Sequence, residues 1–171
     1  MPALESQVEI RRIEASDACL FHRLASASTL RSLRDPFRRQ ELLDRGFIIA
    51  AFCGNRPIGC SCLETDVGRP YIGLNGQACS LPPSCVYLCS TFVLPERRGS
   101  GVGLRLYTER LRAAQSLERS TLAVEILGTG TPLTIDPISY VGYRFHRDAG
   151  FSVAGYSAEA DHGPLLMWQM L

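Results

Sequence analysis

The chain has 171 residues, 46% of them hydrophobic and 20% charged, and a net charge of +1. Such a chain is expected to form one globular domain over residues 1–171, not a disordered segment or a membrane protein. The near-zero charge argues against nucleic-acid or membrane binding, since such proteins show a strong basic excess or patch. No apolar run reaches the ~18 residues of a membrane span and residues 1–12 lack a secretory core, so the expected location is cytoplasmic.

Seven cysteines are scattered through apolar segments, and no two form a Cys-x-x-Cys pair. Cys60 and Cys62 are nearest in sequence, would share one strand face and would need distant ligands to build a zinc site. The pattern favours thiols that pack as small hydrophobic side chains, and we expect no bound metal.

The first half of the chain predicts a strand, two helices and a β-hairpin. Asp17 is a suitable N-cap for the first helix, which is expected to end at Ser26. The expected buried stripe of that helix comprises Cys19, Leu20, Phe21 and Leu24. The other predicted elements are a strand at Val8–Ile13, a helix at Pro36–Asp44, and hairpin strands at Phe47–Cys53 and Ile58–Glu64. Residues 66–83 are rich in glycine and proline and predict a long loop.

An apolar run over Cys85–Val93 predicts a fourth strand, which Pro95 ends because proline cannot donate a ladder hydrogen bond. A helix follows, and its expected buried face comprises Leu104, Tyr107, Leu111 and Ala114. The glycines between strand and helix fall at the helix N-terminus, where unpaired N–H groups and the helix dipole attract phosphate. The predicted phosphate-binding residues of this turn are Arg97, Arg98, Gly99, Ser100, Gly101, Val102 and Gly103.

Three phosphate-binding motifs compete for this turn, and their spacing separates them. The dinucleotide fingerprint needs a third glycine where the chain has Leu104, and the P-loop needs a lysine, which the chain lacks. The run instead resembles the acyl-CoA signature of the GNAT superfamily of N-acyltransferases, through Val93, Pro95, Arg98, Gly99, Gly101 and Gly103. This resemblance implies acetyl-CoA as the donor, with its pantetheine and thioester bound along Phe92, Val93 and Leu94.

The last third of the chain supplies a second resemblance, because residues 139–151 are similar to a GNAT segment that ends in Gly-Phe. The predicted elements here are a strand at Thr121–Leu127, a helix from near Asp136 to Gly150, and strands at Phe151–Ser157 and Leu165–Leu171. The element order resembles the whole GNAT fold. It implies an α/β protein with one mixed, mostly antiparallel sheet of about seven strands, splayed between strands four and five and flanked by about four helices.

The resemblance implies an N-acetyltransferase in which a primary amine of a small molecule or peptide attacks acetyl-CoA directly in a ternary complex. Ser139 stands where the family often has an asparagine near the cofactor. His146 stands where a tyrosine often protonates the departing thiolate, and an imidazolium can also donate a proton. Tyr143 lies one helical turn earlier and is the second candidate for this acid.

The group that deprotonates the amine is not evident from the sequence. No Asp or Glu occurs between Asp66 and Glu96, so the fourth strand lacks the carboxylate that many relatives place there. Glu64 and Glu125 are the nearest carboxylates. For each of them, a solvated charge at a strand end is favoured over the role of base. We therefore expect a water-mediated base. For Cys89, a place in the core is favoured over the role of an acyl-carrying nucleophile.

The expected acceptor-binding residues are Arg34, Arg38, Tyr71 and Tyr87. Arginine pairs bidentately with carboxylates, so an acidic amine is one hypothesis for the acceptor, and a solvated helix face is the alternative. Two other functions stay open: a GNAT-like module that binds acyl-CoA without transfer, and a nucleotide-binding fold. The oligomeric state is open as well, with a homodimer among the expectations.

Overall fold

The computed structural model describes residues 8–28, 31–65, 68, 70–126, 141–157 and 165–170. These residues belong to two compact units. Unit 1 combines Met1–Glu64 with Cys89–Leu117, and unit 2 combines Thr65–Leu88 with Glu118–Leu171. Within the described ranges, no helix is long and apolar enough to span a bilayer. The expectation of a single domain over the whole chain stays a prediction.

In unit 1, helices pack against a sheet with the strand order β1-β2-β3-β6. Its elements are β1 (Val8–Arg12), α1 (Ala18–Ser26), α2 (Arg31–Arg34), α3 (Pro36–Arg45), β2 (Phe47–Cys53), β3 (Arg56–Thr65), the end of β6 (Cys85–Val93) and α4 (Val102–Ser116). Strands β1, β2 and β3 are antiparallel neighbours. The core consists of fully buried apolar side chains from both layers, among them Phe21, Leu42, Ile58 and Leu106.

Helix α3 begins as its sequence requires. The Asp35 side chain accepts a hydrogen bond from the backbone N–H of Phe37 at 2.9 Å, and Pro36 occupies the first turn, where its missing N–H costs nothing. Leu42 is buried beneath the helix, whereas Phe37 is 87% exposed. The helix therefore rests on one apolar face, and Arg38 and Arg39 are half-buried.

Unit 2 has the strand order β6-β7-β9-β8-β4-β5. Its elements are β4 (Pro70–Gly73), β5 (Ala78–Ser80), the start of β6, β7 (Thr121–Ile126), α5 (Val141–Asp148), β8 (Ser152–Ser157) and β9 (Leu165–Met170). Strands β6 and β7 are parallel, and the pairs β7–β9, β8–β9, β4–β8 and β4–β5 are antiparallel. The parallel register ends at Leu88 and Val124 although β6 continues to Val93. The predicted mixed, mostly antiparallel sheet, splayed between predicted strands four and five, is confirmed.

The predicted long loop over residues 66–83 is wrong. It contains β4 and β5, which pair with each other across a turn at Asn75 and Gly76. An Asn-Gly pair between short strand-forming runs is a strong hairpin signal, and the overall glycine and proline content hid it. The sheet therefore has nine described strands where about seven were expected.

The predicted buried faces of α1 and α4 are each wrong at one or two positions. Cys19 is exposed, and Ala25 is buried in α1 instead. In α4, Leu104 is 60% exposed and Arg110 is buried. The buried stripe of α4 keeps helical spacing and comprises Val102, Leu106, Tyr107, Arg110 and Ala114. It includes a charged residue, Arg110, although charged side chains are expected at the surface.

The predicted helix start near Asp136 and the candidate Ser139 lie outside the described residues, as do Leu127 and Leu171. Within the described part, α5 ends where Gly150 was predicted to stop it. The backbone N–H of Gly150 donates to the Arg147 carbonyl at 2.9 Å, as helix-ending turns do.

Candidate functional site

A tight turn in unit 1 connects β6 to α4. Strand β6 ends at Val93, and the Leu94 N–H donates to the Ile58 carbonyl at 2.9 Å, which fixes the start of the turn on β3. A short 3-10 turn over Pro95–Arg97 follows, and α4 begins at Val102. The turn is therefore held at both ends by regular structure.

Gly99 and Gly101 are the residues that shape this turn. Their φ angles are +78° and +81°, a left-handed conformation that side chains with a Cβ rarely adopt. A Cβ built on either glycine would have no atom within 4 Å, so the space beside them is open. Gly101 is the N-cap of α4 and has no side chain to bind the first N–H groups of the helix. The open space beside the positive end of this 15-residue helix is suited to a phosphate.

Two arginines add positive charge at the same turn. Arg98 is exposed, and its Nε donates to the Val93 carbonyl at 3.3 Å. Arg97 is half-buried, with Nη2 3.6 Å from the Cys53 sulfur. Across the described part of the chain, neither arginine forms an ion pair with a carboxylate. Their charges are therefore available to a bound anion, and the cofactor-binding role of both residues stays a prediction.

A second polar group is buried in unit 1, at the end of β3. The Glu64 carboxylate accepts a hydrogen bond from Arg38 of α3, with Nη2 and Oε2 2.5 Å apart. The Glu64 side chain is only 9% exposed and the Arg38 side chain 21%. The expectation that Glu64 is a solvated strand-end charge is therefore wrong, because α3 covers it and supplies its counter-charge. Glu125, the other candidate carboxylate, is half-buried in β7 of unit 2.

Arg38 contacts two carboxylates. Its Nη1 donates to the exposed Glu41 at 2.6 Å, while Nη2 binds Glu64. These contacts raise the pKa of Arg38 although burial lowers it. Both terminal nitrogens of the guanidinium are thus bound to carboxylates of the described residues, so they are not free to bind a substrate carboxylate as a pair. Arg34, the other arginine in the acidic-acceptor hypothesis, is exposed.

The Cys89 thiol of β6 hydrogen bonds to Glu64. Burial raises the pKa of Cys89 well above its ordinary value, and Cys62 and Glu64 raise it further. The thiol is therefore protonated at neutral pH, whereas a nucleophilic cysteine needs a thiolate. This favours the predicted core role over an acyl-carrying one. Across the described ranges, no group of three or more metal-ligating side chains occurs.

Arg110, on the buried face of α4, is a polar residue that the sequence did not single out. It is 3% exposed, and its Nη1 donates to the Thr91 hydroxyl at 3.0 Å. The Thr91 hydroxyl is also 2.8 Å from the Ser61 hydroxyl. Its Nε has no hydrogen-bond partner among the described residues. Burial lowers the pKa of Arg110 to about 10, so it stays charged at neutral pH. The signal that could have found it is its spacing from Leu106 and Tyr107.

Arg110→Met is expected to raise the free energy of unfolding by about 1–3 kcal/mol, because a flexible apolar side chain replaces a buried charge without a carboxylate partner. Thr91 and Ser61 keep each other as hydrogen-bond partners. Urea unfolding of both proteins measures the difference. Arg112→Met on the exposed face of α4 is the control, with a change within about 0.5 kcal/mol. A loss of stability in Arg110→Met would show that the Thr91 contact outweighs the cost of burying the charge.

Comparison with known proteins places this site in a family. The model of the acetyltransferase (GNAT) family matches residues 13–130, more than half of the chain and including the whole glycine turn. The chain belongs to the GNAT acetyltransferase family. No curated protein sequence matches it.

Solved GNAT structures share the fold at low sequence identity. An acetyltransferase described as GNAT from Desulfovibrio desulfuricans matches with a TM-score of 0.67 and 19% identity, over 96% of this chain and 99% of that one. The PaiA N-acetyltransferase from Thermoplasma acidophilum, in complex with coenzyme A, matches with a TM-score of 0.61 and 15% identity, over 96% and 99%. An aminoglycoside 6'-N-acetyltransferase complexed with coenzyme A gives 0.66 and 15%, over 95% and 96%.

The remaining candidates in this GNAT chain lie in unit 2. His146 is half-buried in α5, where its ring meets the edges of Phe145 and Phe151 at centroid distances of 5.4 and 5.3 Å, and its Nε2 is shielded from solvent. Tyr143 is half-buried one turn earlier, with the Arg147 guanidinium 6.0 Å from its ring. The two side chains therefore differ in how they are packed, and the sequence prediction that places His146 before Tyr143 as the acid stays untested.

The two tyrosines predicted to bind the acceptor are buried. Tyr71 lies in β4 instead of a loop, and its ring packs edge-on against Trp168 at 6.4 Å. Burial raises the pKa of Tyr71, and Cys79 adds to the shift. Tyr87 lies in the paired part of β6. Their role in acceptor binding stays a prediction.

Proposed function

We propose that the protein is an acetyl-CoA-dependent N-acetyltransferase that acts on a primary amine by direct attack in a ternary complex. The observation that carries this proposal is the glycine turn of unit 1, in which two left-handed glycines leave open space at the start of α4. Arg97 and Arg98 supply positive charge there, as the pyrophosphate of CoA requires. Membership of the GNAT family and the coenzyme A complexes of similar folds support the same assignment.

The chemistry asks the protein for three things beyond donor binding. A backbone N–H group of Phe92 or Val93 polarises the thioester carbonyl, since the Leu94 N–H donates to the Ile58 carbonyl. The acceptor arrives mainly as an ammonium ion with a pKa of ~10 and must lose a proton before it can attack. The thiolate of CoA then takes a proton from an acid on α5.

We propose Tyr143 as that acid, with His146 as the second candidate. Both side chains are half-buried, but the Nε2 of His146 is shielded from solvent and its ring lies against two phenylalanines, whereas the Tyr143 ring faces the exposed Arg147 guanidinium 6.0 Å away. Tyr143→Phe is expected to lower kcat about 10²- to 10⁴-fold with the Kd for CoA unchanged. His146→Gln is expected to lower Tm and to leave kcat close to the wild-type value, because it disturbs aromatic packing. The reverse pattern would make His146 the acid.

The transfer itself is tested by release of free CoA thiol from acetyl-CoA in the presence of primary amines, including aliphatic amines, arylalkylamines, amino acids and a peptide N-terminus. Amine-dependent thiol release and an acetylated product in mass spectrometry are expected. The competing function is a module that binds acyl-CoA without transfer, and it predicts micromolar CoA binding with no amine-dependent release. A nucleotide-binding protein would instead be protected from thermal unfolding by ATP or NAD and not by CoA.

A further inference from the structure

The buried ion pair between Arg38 and Glu64 is not used by the donor site or by the proposed acid. Burying two charges removes them from water, and hydrophobic side chains of similar volume would often give equal or better stability. Glu64 is buried almost completely, yet it retains a narrow exposed part of its side chain. A carboxylate that is buried in spite of this cost is a candidate for function, since proteins break such packing rules mainly at functional sites.

The position of Glu64 along the sheet gives it a relation to the donor site. Its hydrogen-bond partner Cys89 is the first residue of β6 beyond Leu88, where the described pairing with β7 ends. From Cys89 the strand runs four residues to Val93 and then enters the glycine turn. At about 3.3 Å per residue this is roughly 13 Å, so an extended donor held at the turn can lie along β6 toward Glu64.

Contacts of the arginines also bear on the kind of acceptor. The acidic-acceptor hypothesis rests on Arg34 and Arg38, but Arg38 already binds the carboxylates of Glu64 and Glu41. Glu64 is the acidic side chain at the end of β3. A positively charged group complements it, and an ammonium ion is the form in which a primary amine reaches the enzyme at neutral pH.

We propose that Glu64 binds the ammonium group of the acceptor and takes its first proton, with Arg38 and Cys89 as positioning residues, and that the preferred acceptors are amines without an adjacent carboxylate. The inference rests on the proposed acetyltransferase function and replaces the expected water-mediated base. Arg38 fixes the carboxylate from the α3 side, and the Cys89 thiol fixes it from β6. The acceptor would be recognised by its positive charge.

The proton balance of the step is complete without another reagent. The Glu64 carboxylate takes one proton from the ammonium ion, and the neutral amine attacks the thioester carbon. The carbon–sulfur bond breaks as the new carbon–nitrogen bond is retained. The second proton leaves nitrogen for solvent, the acid on α5 gives its proton to the thiolate, and the acid then regains a proton from solvent. Glu64 then releases its proton to solvent, so the net products are the amide, CoA thiol and one proton.

Glu64→Gln and Glu41→Gln form a matched pair for the test. Each removes one carboxylate from the same guanidinium, but Glu41 is exposed and Glu64 is buried. With phenethylamine and butylamine as acceptors, Glu64→Gln is expected to lower kcat/KM at pH 7 at least ~100-fold. Glu41→Gln is expected to stay close to wild type. Equal activities in the two variants would overturn the proposal while the acetyltransferase function stands.

A pH profile separates a base from a merely structural carboxylate. Without Glu64 the enzyme must wait for amine that is already neutral, so kcat/KM of Glu64→Gln is expected to rise about tenfold per pH unit toward the amine pKa of ~10. The profile of Glu41→Gln should follow wild type. A Glu64→Gln profile parallel to wild type at all pH values would assign Glu64 a structural role.

The acceptor class is tested with pairs of amines that differ by one carboxylate. Phenethylamine is compared with phenylalanine, and butylamine with norvaline. The amine of each pair is expected to have a kcat/KM at least ~10-fold higher, because the carboxylate meets Glu64. Equal or better use of the amino acids by wild type would overturn the acceptor assignment.

Binding to the CoA complex supplies a readout that does not need turnover. Phenethylamine is expected to raise the Tm of the wild-type and Glu41→Gln complexes with CoA, and not that of Glu64→Gln. If this Tm pattern is found but no amine is acetylated, the proposed ammonium site at Glu64 stands and the proposed acetyltransferase function is rejected. Neither binding nor turnover in wild type would reject both.

A double variant guards against loss of fold. Glu64→Gln leaves Arg38 with a weakened partner, so a low activity could reflect unfolding. Arg38→Met combined with Glu64→Met removes both charges and is expected to unfold at a Tm no lower than wild type, yet to lose activity and the effect of phenethylamine on Tm. Full activity in this stable variant would overturn the proposal.

Discussion

Gly101→Asp is expected to raise the Kd for CoA at least ~100-fold. The substitution places a carboxylate in the open space at the start of α4, in the turn that carries Arg97 and Arg98. A Cβ at Gly101 has no atom within 4 Å, so the new side chain has room there. Two like charges about 4 Å apart at a protein surface repel by roughly 4 kcal/mol, which exceeds the energy of a 100-fold change. Aspartate tolerates the left-handed backbone better than most residues, so the fold should persist. Isothermal titration with CoA measures the effect.

Gly76→Asp is the matched control. Gly76 has a φ of +77°, close to the +81° of Gly101, and a Cβ there also has no atom within 4 Å. It lies in the β4–β5 turn of unit 2, so the same backbone strain and the same charge are introduced outside the glycine turn. Its Kd for CoA should equal that of wild type. If the two variants bind CoA equally well, the phosphate site has been assigned to the wrong turn.

The glycine turn proposed as the donor site could be predicted from sequence because the features that shape it are local. The left-handed glycines, the strand-ending proline and the first turn of α4 all lie within residues 93–103, and each is dictated by backbone chemistry. The strand Cys85–Val93 was predicted with the bounds that the structure shows. Short-range rules of this kind need no knowledge of what the segment packs against.

The acceptor-side chemistry could not be predicted in the same way, because it depends on long-range contacts. Arg38 and Glu64 are 26 residues apart, and Arg110 and Thr91 are 19 apart. Nothing in the local sequence of Glu64 tells a solvated strand end from a buried ion pair. Only the packing of α3 over the end of β3 decides between them, and that packing also occupies the arginine that suggested an acidic acceptor.

The β4–β5 hairpin shows a different limit. Its strands are four and three residues long, too short for an alternating pattern to stand out from a glycine- and proline-rich segment. The hairpin is held by β4 pairing with β8, a strand about 80 residues later in the chain. Tertiary pairing therefore overrides weak local propensity, and Tyr71 becomes a buried strand residue.

Gly155→Ala is expected to destabilise the protein by about 3 kcal/mol or more, a large part of the 5–15 kcal/mol available to a typical domain. A Cβ at Gly155 would lie 2.0 Å from the carbonyl oxygen of Ile72 and 2.9 Å from its carbonyl carbon. These are backbone atoms of the paired strand β4, so the clash cannot be relieved by turning a side chain. Urea unfolding followed by circular dichroism measures the loss.

Gly73→Ala is the control for Gly155→Ala, since the two glycines are opposite each other in the β4–β8 ladder. The nearest atom to a Cβ at Gly73 is the Asn75 side-chain oxygen at 3.0 Å, which can rotate away. A loss of about 1 kcal/mol is therefore expected. If Gly155→Ala is no worse than Gly73→Ala, β4 does not approach β8 as closely as described. Tyr71 would then return to a loop, where the sequence had placed it as an acceptor-binding residue.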